Sequence, residues 1–292
     1  MLRFSRLVGS FRGLALLTLM LLIHTPCLGA QDLRVMSFNI RYGTADDGEN
    51  AWPLRQDLVA EAMTVFQADI VGVQEALAFQ LEELSERLPS FDWVGVGRDD
   101  GLAAGEYAAI FYRKGRFRVL ETGTFWFSDT PDTPGSMSWG NEIPRICTWA
   151  RFLDQDAGHE FVFFNVHWDH RSQPSREKAA SLLLERIRAM AGGAEGVLVT
   201  GDFNAGEENP AFRSLLESPL VELREPFRLL FPHAENVGTF HGFQGSSEGE
   251  KIDAILMGPG WDVLNAGIDR FRSGGRYPSD HFPVTATLRW GR

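Results

Sequence analysis

Apolar and polar positions along the chain fall into two rhythms. Short apolar, β-branched or alternating runs at 33–39, 69–74, 92–97, 106–113, 117–127, 145–153, 160–167, 196–202, 251–257 and 282–289 predict strands, most of them bounded by Gly, Pro, Asp or Asn. Apolar residues at helical spacing predict helices at 54–66, at 77–88 and most clearly at 175–190, with Pro174 at its start and Gly192-Gly193 after it. Ten strands with so few helices do not suit a doubly wound parallel sheet, which needs a helix after nearly every strand. The pattern predicts an α/β protein with two packed, mixed or antiparallel β-sheets and helices on their outer faces.

The first thirty residues follow a different plan. Arg3, Arg6 and Arg12 precede the apolar run Leu14 to Ile23, and Leu28-Gly29-Ala30 supplies small residues after it. This is the layout of a secretory signal, and the run is too short to cross a bilayer core of roughly 30 Å. Residues 1–30 are therefore expected to be a signal peptide and 31–292 a single domain, exported to the periplasm or secreted, without stable membrane insertion. Cleavage would remove Cys27 and leave Cys147 alone. No intrachain disulfide follows, and Cys147, between Ile146 and Trp149 in a strand-like run, reads as a buried small apolar residue.

Charge sharpens this. The chain has 28 Lys+Arg against 39 Asp+Glu, a net of -11. Without the three leader arginines the balance is 25 against 39, or -14. Long-range attraction to a polyanion is not expected of such a body, which disfavours, without excluding, nucleic acid as substrate.

Five runs end in a polar residue able to bind metal or move protons: V-M-S-F-N at 35–39, I-V-G-V-Q-E at 70–75, F-F-N-V-H at 163–167, V-L-V-T-G-D-F-N at 197–204 and, opening on its polar residues, S-D-H-F-P-V at 279–284. A sixth, K-I-D-A-I-L at 251–256, has its acid at the strand's start. Adjacent strands could bring Asn39, Glu75, His167, Asp202, Asn204, Asp253, Asp280 and His281 to one edge. Oxygen-rich ligands of this kind suit Mg²⁺ or Mn²⁺ rather than zinc. A hard cation among acids and histidines suits phosphoester hydrolysis.

With these motifs in this order, the chain resembles the endonuclease/exonuclease/phosphatase superfamily (deoxyribonuclease I-like), in a small exported bacterial type, over residues 32 to about 289. The resemblance implies a four-layer α/β sandwich with the site at one edge of the central sheets. It implies Glu75 as the principal metal carboxylate, with Asn39 and Asp280 completing the metal environment. Asp202 and Asn204 would orient water and hold a phosphoryl oxygen. His281, oriented by Asp253, would act as base or stabilise the phosphorane, and His167 would face the leaving group.

Position selects further candidates for substrate contact: Arg41 two residues after Asn39, Arg145 before a strand, Arg171 four after His167, and His170 between them. Trp52, Trp139, Trp168 and His241 lie beside motifs but are read first as core or rim. Arg113, Lys114, Arg116 and Arg118 are read as a solvated hairpin turn around Gly115. The expected protein is a monomeric hydrolase of a small or sugar- or glycerol-linked phosphoester. An extracellular nuclease and a non-catalytic binding protein on the same fold are the alternatives.

Overall fold

The structure is a computed structural model and describes Met1 and residues 32–291. The signal-peptide expectation therefore concerns residues almost all outside the described ones. In chain order the elements are β1 (Leu33–Asn39), α1 (Gln56–Val65), β2 (Ile70–Ala76), α2 (Ala78–Arg87), β3 (Phe91–Val94), β4 (Tyr107–Arg113), β5 (Phe117–Trp126), β6 (Ile146–Asp154), β7 (His159–His167), α3 (Gln173–Met190), β8 (Gly196–Asp202), α4 (Pro210–Leu216), α5 (Pro226–Leu230), β9 (Asp253–Met257), β10 (Trp261–Ile268) and β11 (Val284–Trp290).

One sheet has the order β10-β11-β1-β2-β4-β3 and the other β5-β6-β7-β8-β9. Among the described strands only β1–β2 and β7–β8 pair in parallel, so both sheets are mixed. Their inner faces meet through Val35, Ile70, Ile110, Phe152, Phe161, Phe163, Leu198, Ile255 and Leu288. Burying each large side chain of this kind contributes roughly 1.5–3 kcal/mol. The outer face of the first sheet packs on α1 and α2 through Phe38, Val59, Met63, Leu81 and Leu84. The outer face of the second packs on α3 and α4 through Phe164, Leu183, Ile187, Val199 and Phe212. This is the four-layer sandwich expected.

Toward one edge the apolar interlayer gives way to a polar one. Gln74 Nε2 donates to Asn165 Oδ1 (2.6 Å), which also accepts from Thr200 Oγ1 (3.0 Å), so the second sheet is hydrogen-bonded to β2 of the first. The sheets approach so closely here that a Cβ on Gly72 would lie 2.0 Å from Thr200 Oγ1. Asn165, the first residue of N-V-H, thus fixes the relative position of the two sheets whose ends form the site.

Some expectations need correction. The strand placed at 92–97 is Phe91–Val94, and β10, α4 and α5 were not foreseen. The turn at Gly115 is no hairpin, because β4 and β5 belong to different sheets. Within it Arg116 is buried rather than solvated, paired with Asp69 (2.9 Å) and Asp154 (2.8 Å). A turn between packed layers needs its polar groups paired, which an exposed hairpin turn would not. Cys147 is buried and apolar in its surroundings, and burial pushes its thiol pKa up.

Candidate active site

Strand register assembles the site. On β7, β8 and β9, His167 is the Cα partner of Asp202, and Asp202 of Asp253, so three polar residues stand side by side. On β1 and β2, Asn39 partners Gln74, and Glu75 follows directly. The segment before β11 supplies Asp280 and His281, and Ser279 Oγ donates to the carbonyl of Asn39 at 2.7 Å.

The side chains converge. Asn39 Nδ2 donates to Glu75 Oε1 and Asp202 Oδ2, both at 3.0 Å. Tyr42 N donates to Glu75 Oε2 (3.1 Å), and Asn204 N to Asp202 Oδ1 (2.9 Å). His167 Nε2 lies 3.6 Å and His281 Nε2 4.0 Å from Asp202 Oδ2, while His281 Nδ1 is 2.8 Å from Asp253 Oδ2. Arg41, Glu75 and Asn204 all adopt left-handed backbone, with φ of 58°, 65° and 48°. For non-glycine residues such conformations cost free energy and persist where surrounding contacts over-determine them, as they do here.

Electrostatics set the residues apart. Burial, reinforced by Asp253, pushes the Asp202 pKa up to about 7. Burial opposes charge on His281, but Asp253, Asp202 and Asp280 prevail and raise its pKa well above the ordinary value. His167 goes the other way: burial, then Arg145 and Arg98, holds it neutral. Burial also raises Asp280, and it carries Glu106 to about 7 despite the Arg98 guanidinium that grips both Glu106 oxygens at 2.7 and 2.8 Å.

These residues fit a hard divalent cation. Glu75, His167 and Asp202 each present one ligand atom, all within 4.8 Å of one another. Glu75 and Asp202 converge on a single amide N–H₂ group, and burial disfavours the charged form of Asp202, a penalty that a bound cation would offset. Asp202, Asp253 and His281 form a second such group, but there His281 Nδ1 and Asp253 Oδ2 are already hydrogen-bonded to each other. Asn39 is oriented as a donor, its Oδ1 accepting from Arg41 N (3.0 Å). Ligation through that oxygen would require the amide to turn over.

A cleft of about 460 Å³ opens over this edge, lined by Glu75, His167, Asp202, Asn204, Asp280 and His281 together with Arg41, Arg145 and His170. Arg145 is buried, with Nη2 2.7 Å from His170 Nδ1 and Nε 3.6 Å from Asp169. Arg41 is held by Asp47 (3.0 and 3.1 Å) and lies 3.7 Å from Asp280. Arg171 does not belong: it points to solvent, ion-paired with Glu142, because the chain turns outward after His170 to begin α3. Trp52 and Trp168 are core, as read, and His241 is stacked on Phe282 at 3.9 Å. Trp139 is partly buried, its indole N–H on Asp129. The cleft also contains Tyr42, Glu106, Ile143 and Phe240, which sequence reasoning missed. Glu106 opens a predicted strand as Asp253 does, and that placement was the available signal.

An α/β sandwich with carboxylates and histidines gathered at one sheet edge defines a class of phosphoester-hydrolysing enzymes. The profile of the Endonuclease/Exonuclease/phosphatase family matches residues 36–281, and the chain belongs to that family. The mannosyl-6-phosphatase of Bacteroides thetaiotaomicron is 35% identical, with a TM-score of 0.82 over 88% of this chain and 100% of that one. An endonuclease/exonuclease/phosphatase family protein from the same organism is 34% identical, with a TM-score of 0.83 over 90% and 100%. The exoribonuclease subunit Ccr4 of the CCR4-Not complex of Mycosarcoma maydis is 23% identical over 286 residues, 88% of this chain but only 38% of that protein.

Proposed function

We propose that the protein is a Mg²⁺- or Mn²⁺-dependent phosphatase of a small sugar-linked phosphoester, acting after export. The observation that carries this reading is the modest size of the cleft, about 460 Å³, with the carboxylate–histidine edge as floor and Arg145 and His170 beside it. That volume suits a sugar phosphate. The acidic body disfavours a polymeric polyanion. The 35% identity to a mannosyl-6-phosphatase supports a sugar monoester.

Glu75, with Asp280 and Asn39 beside it, would hold the cation, which supplies charge neutralisation at the phosphoryl oxygens. Asp253 accepts from Nδ1–H of His281 and orients the ring, so that Nε2–H of the imidazolium faces the site and donates to a phosphoryl oxygen. Asp202, hydrogen-bonded through Asn204 N, is the carboxylate that takes the proton of the attacking water. His167, neutral, adjoins Glu106 (3.8 Å) on the leaving-group side.

The test measures phosphate release from hexose phosphates, phenol release from an aryl phosphodiester and fragmentation of single- and double-stranded nucleic acid, each with Mg²⁺, Mn²⁺ or EDTA. Sugar-monoester turnover that EDTA stops and Glu75→Ala abolishes is expected. Turnover of nucleic acid alone would make the protein a nuclease, and a folded protein inactive on all substrates would overturn the reading.

A further inference from the structure

We propose that Arg55 is a positioning residue that locks two separate cation-binding segments, residues 39–42 and 278–280, into one site. The inference rests on the reading that this edge binds a divalent cation.

Arg55 is buried at 2% exposure, yet its guanidinium bonds to backbone carbonyls instead of a carboxylate. Nε donates to Asn50 O (2.8 Å), Nη1 to Ile40 O (2.5 Å) and Pro278 O (3.1 Å), and Nη2 to Arg41 O (3.0 Å). Its faces are covered by Trp52 at 5.1 Å and Phe243 at 5.6 Å. Burial draws its pKa down to about 10, opposed through space by Asp280 and Asp47, so it remains charged at neutral pH.

The carbonyls it holds are significant. Ile40 and Arg41 leave β1 directly after Asn39, and the left-handed turn at Arg41 brings Tyr42 N onto Glu75. Gln80 Nε2 shares the Arg41 carbonyl at 3.1 Å. Pro278 precedes Ser279 and Asp280, which lie more than two hundred residues away in sequence. One rigid, planar fork therefore spans both strips of backbone that carry Asn39 and Asp280. Lysine, a point charge on a flexible stem, cannot reproduce that fork. Groups that orient metal ligands in this indirect way typically change metal affinity roughly 10–100-fold when replaced.

The experiment measures Mn²⁺ affinity by electron paramagnetic resonance, without substrate, in wild type, Arg55→Lys and Arg116→Lys. Arg116 is an equally buried arginine at the opposite end of the strands, so its variant controls for general loss of stability. Arg55→Lys should raise the Mn²⁺ Kd by roughly 10–100-fold, with Arg116→Lys unchanged. A folded Arg55→Lys with wild-type Kd overturns the proposal. Wild type that binds no Mn²⁺ removes the underlying reading, and the proposal with it. Should Arg55→Lys fail to fold, hydrogen exchange of wild type decides: Mn²⁺ must slow the amides of 40–43 and 279–281 together. A response confined to one segment overturns the clamp.

Discussion

Asp253 Oδ2 sits 2.8 Å from Nδ1 of His281, while the backbone of Asp253 is the register partner of Asp202. One strand position thus orients the imidazole and adds to the upward pKa shift that burial gives the neighbouring acid. Asp253→Asn should lower kcat by roughly 10²–10⁴-fold, the usual worth of a positioned proton-transfer group. Mn²⁺ affinity should change little, because Asp253 contacts the histidine rather than Glu75. Steady-state kinetics combined with a metal titration checks this, and a matching loss of metal affinity would make Asp253 a ligand instead.

The two arginines flanking β6 and β7 should behave oppositely. Arg145→Met removes a buried cleft guanidinium and is expected to cost roughly 1.5–3 kcal/mol in kcat/KM, mostly through KM, as loss of a charged hydrogen bond does. Arg171→Ala removes an exposed ion pair and should stay within about 0.5 kcal/mol of wild type. Equal effects would mean that the cleft extends over α3.

Between the sheets, Gly72→Ala should be strongly unfavourable, since its Cβ would lie 2.0 Å from Thr200 Oγ1 and 2.5 Å from Asn165 Oδ1. Overpacking of this kind typically costs roughly 1–3 kcal/mol. Gly115→Ala, with nothing within 4 Å of its Cβ, is the neutral comparison. Urea midpoints at constant slope distinguish the two. A tolerated Gly72→Ala would show that the sheets can separate.

Acid should destabilise the protein through His241. Gly245 N donates to its Nδ1 at 3.2 Å, so the ring proton sits on Nε2, which is buried without a partner. Burial first, then the neighbouring His281, lowers its pKa from 6.5 to about 4. The unfolded chain binds this proton as pH falls below 6.5 and the folded chain only near 4, so the His241 contribution is full above 6.5 and is lost across that window. Tm measured from pH 7.5 to 4.5 should fall less steeply in His241→Phe than in wild type, and identical slopes would refute the assignment.

Much of this was legible in the residue pattern. The strands at 33–39 and 196–202 were placed to the residue, because continuous apolar runs buried on both faces end sharply in Asn39 and Asp202. β10 was missed because Asp262, Asn265 and Gly267 break up its apolar pattern, as an edge strand permits. Arg116 and Arg171 were misjudged for one reason: an arginine's surroundings depend on which layers meet at its turn, and no local spacing encodes that. Arg55 left no signal at all, since its partners are carbonyls, which every residue has.

By itself, then, the sequence determined the two-sheet architecture, the acids and histidines at strand ends and the charge that disfavours a polyanion, because periodicity and side-chain chemistry are local properties. Only the tertiary structure decided which of those groups touch. Register sets His167, Asp202 and Asp253 in line, the Asn165–Gln74 bridge fixes how closely the sheets approach, burial raises the Asp202 pKa and holds His167 neutral, and the surrounding carboxylates raise that of His281 against its burial. Distance and desolvation arise only when remote segments pack, and they govern the chemistry of this edge.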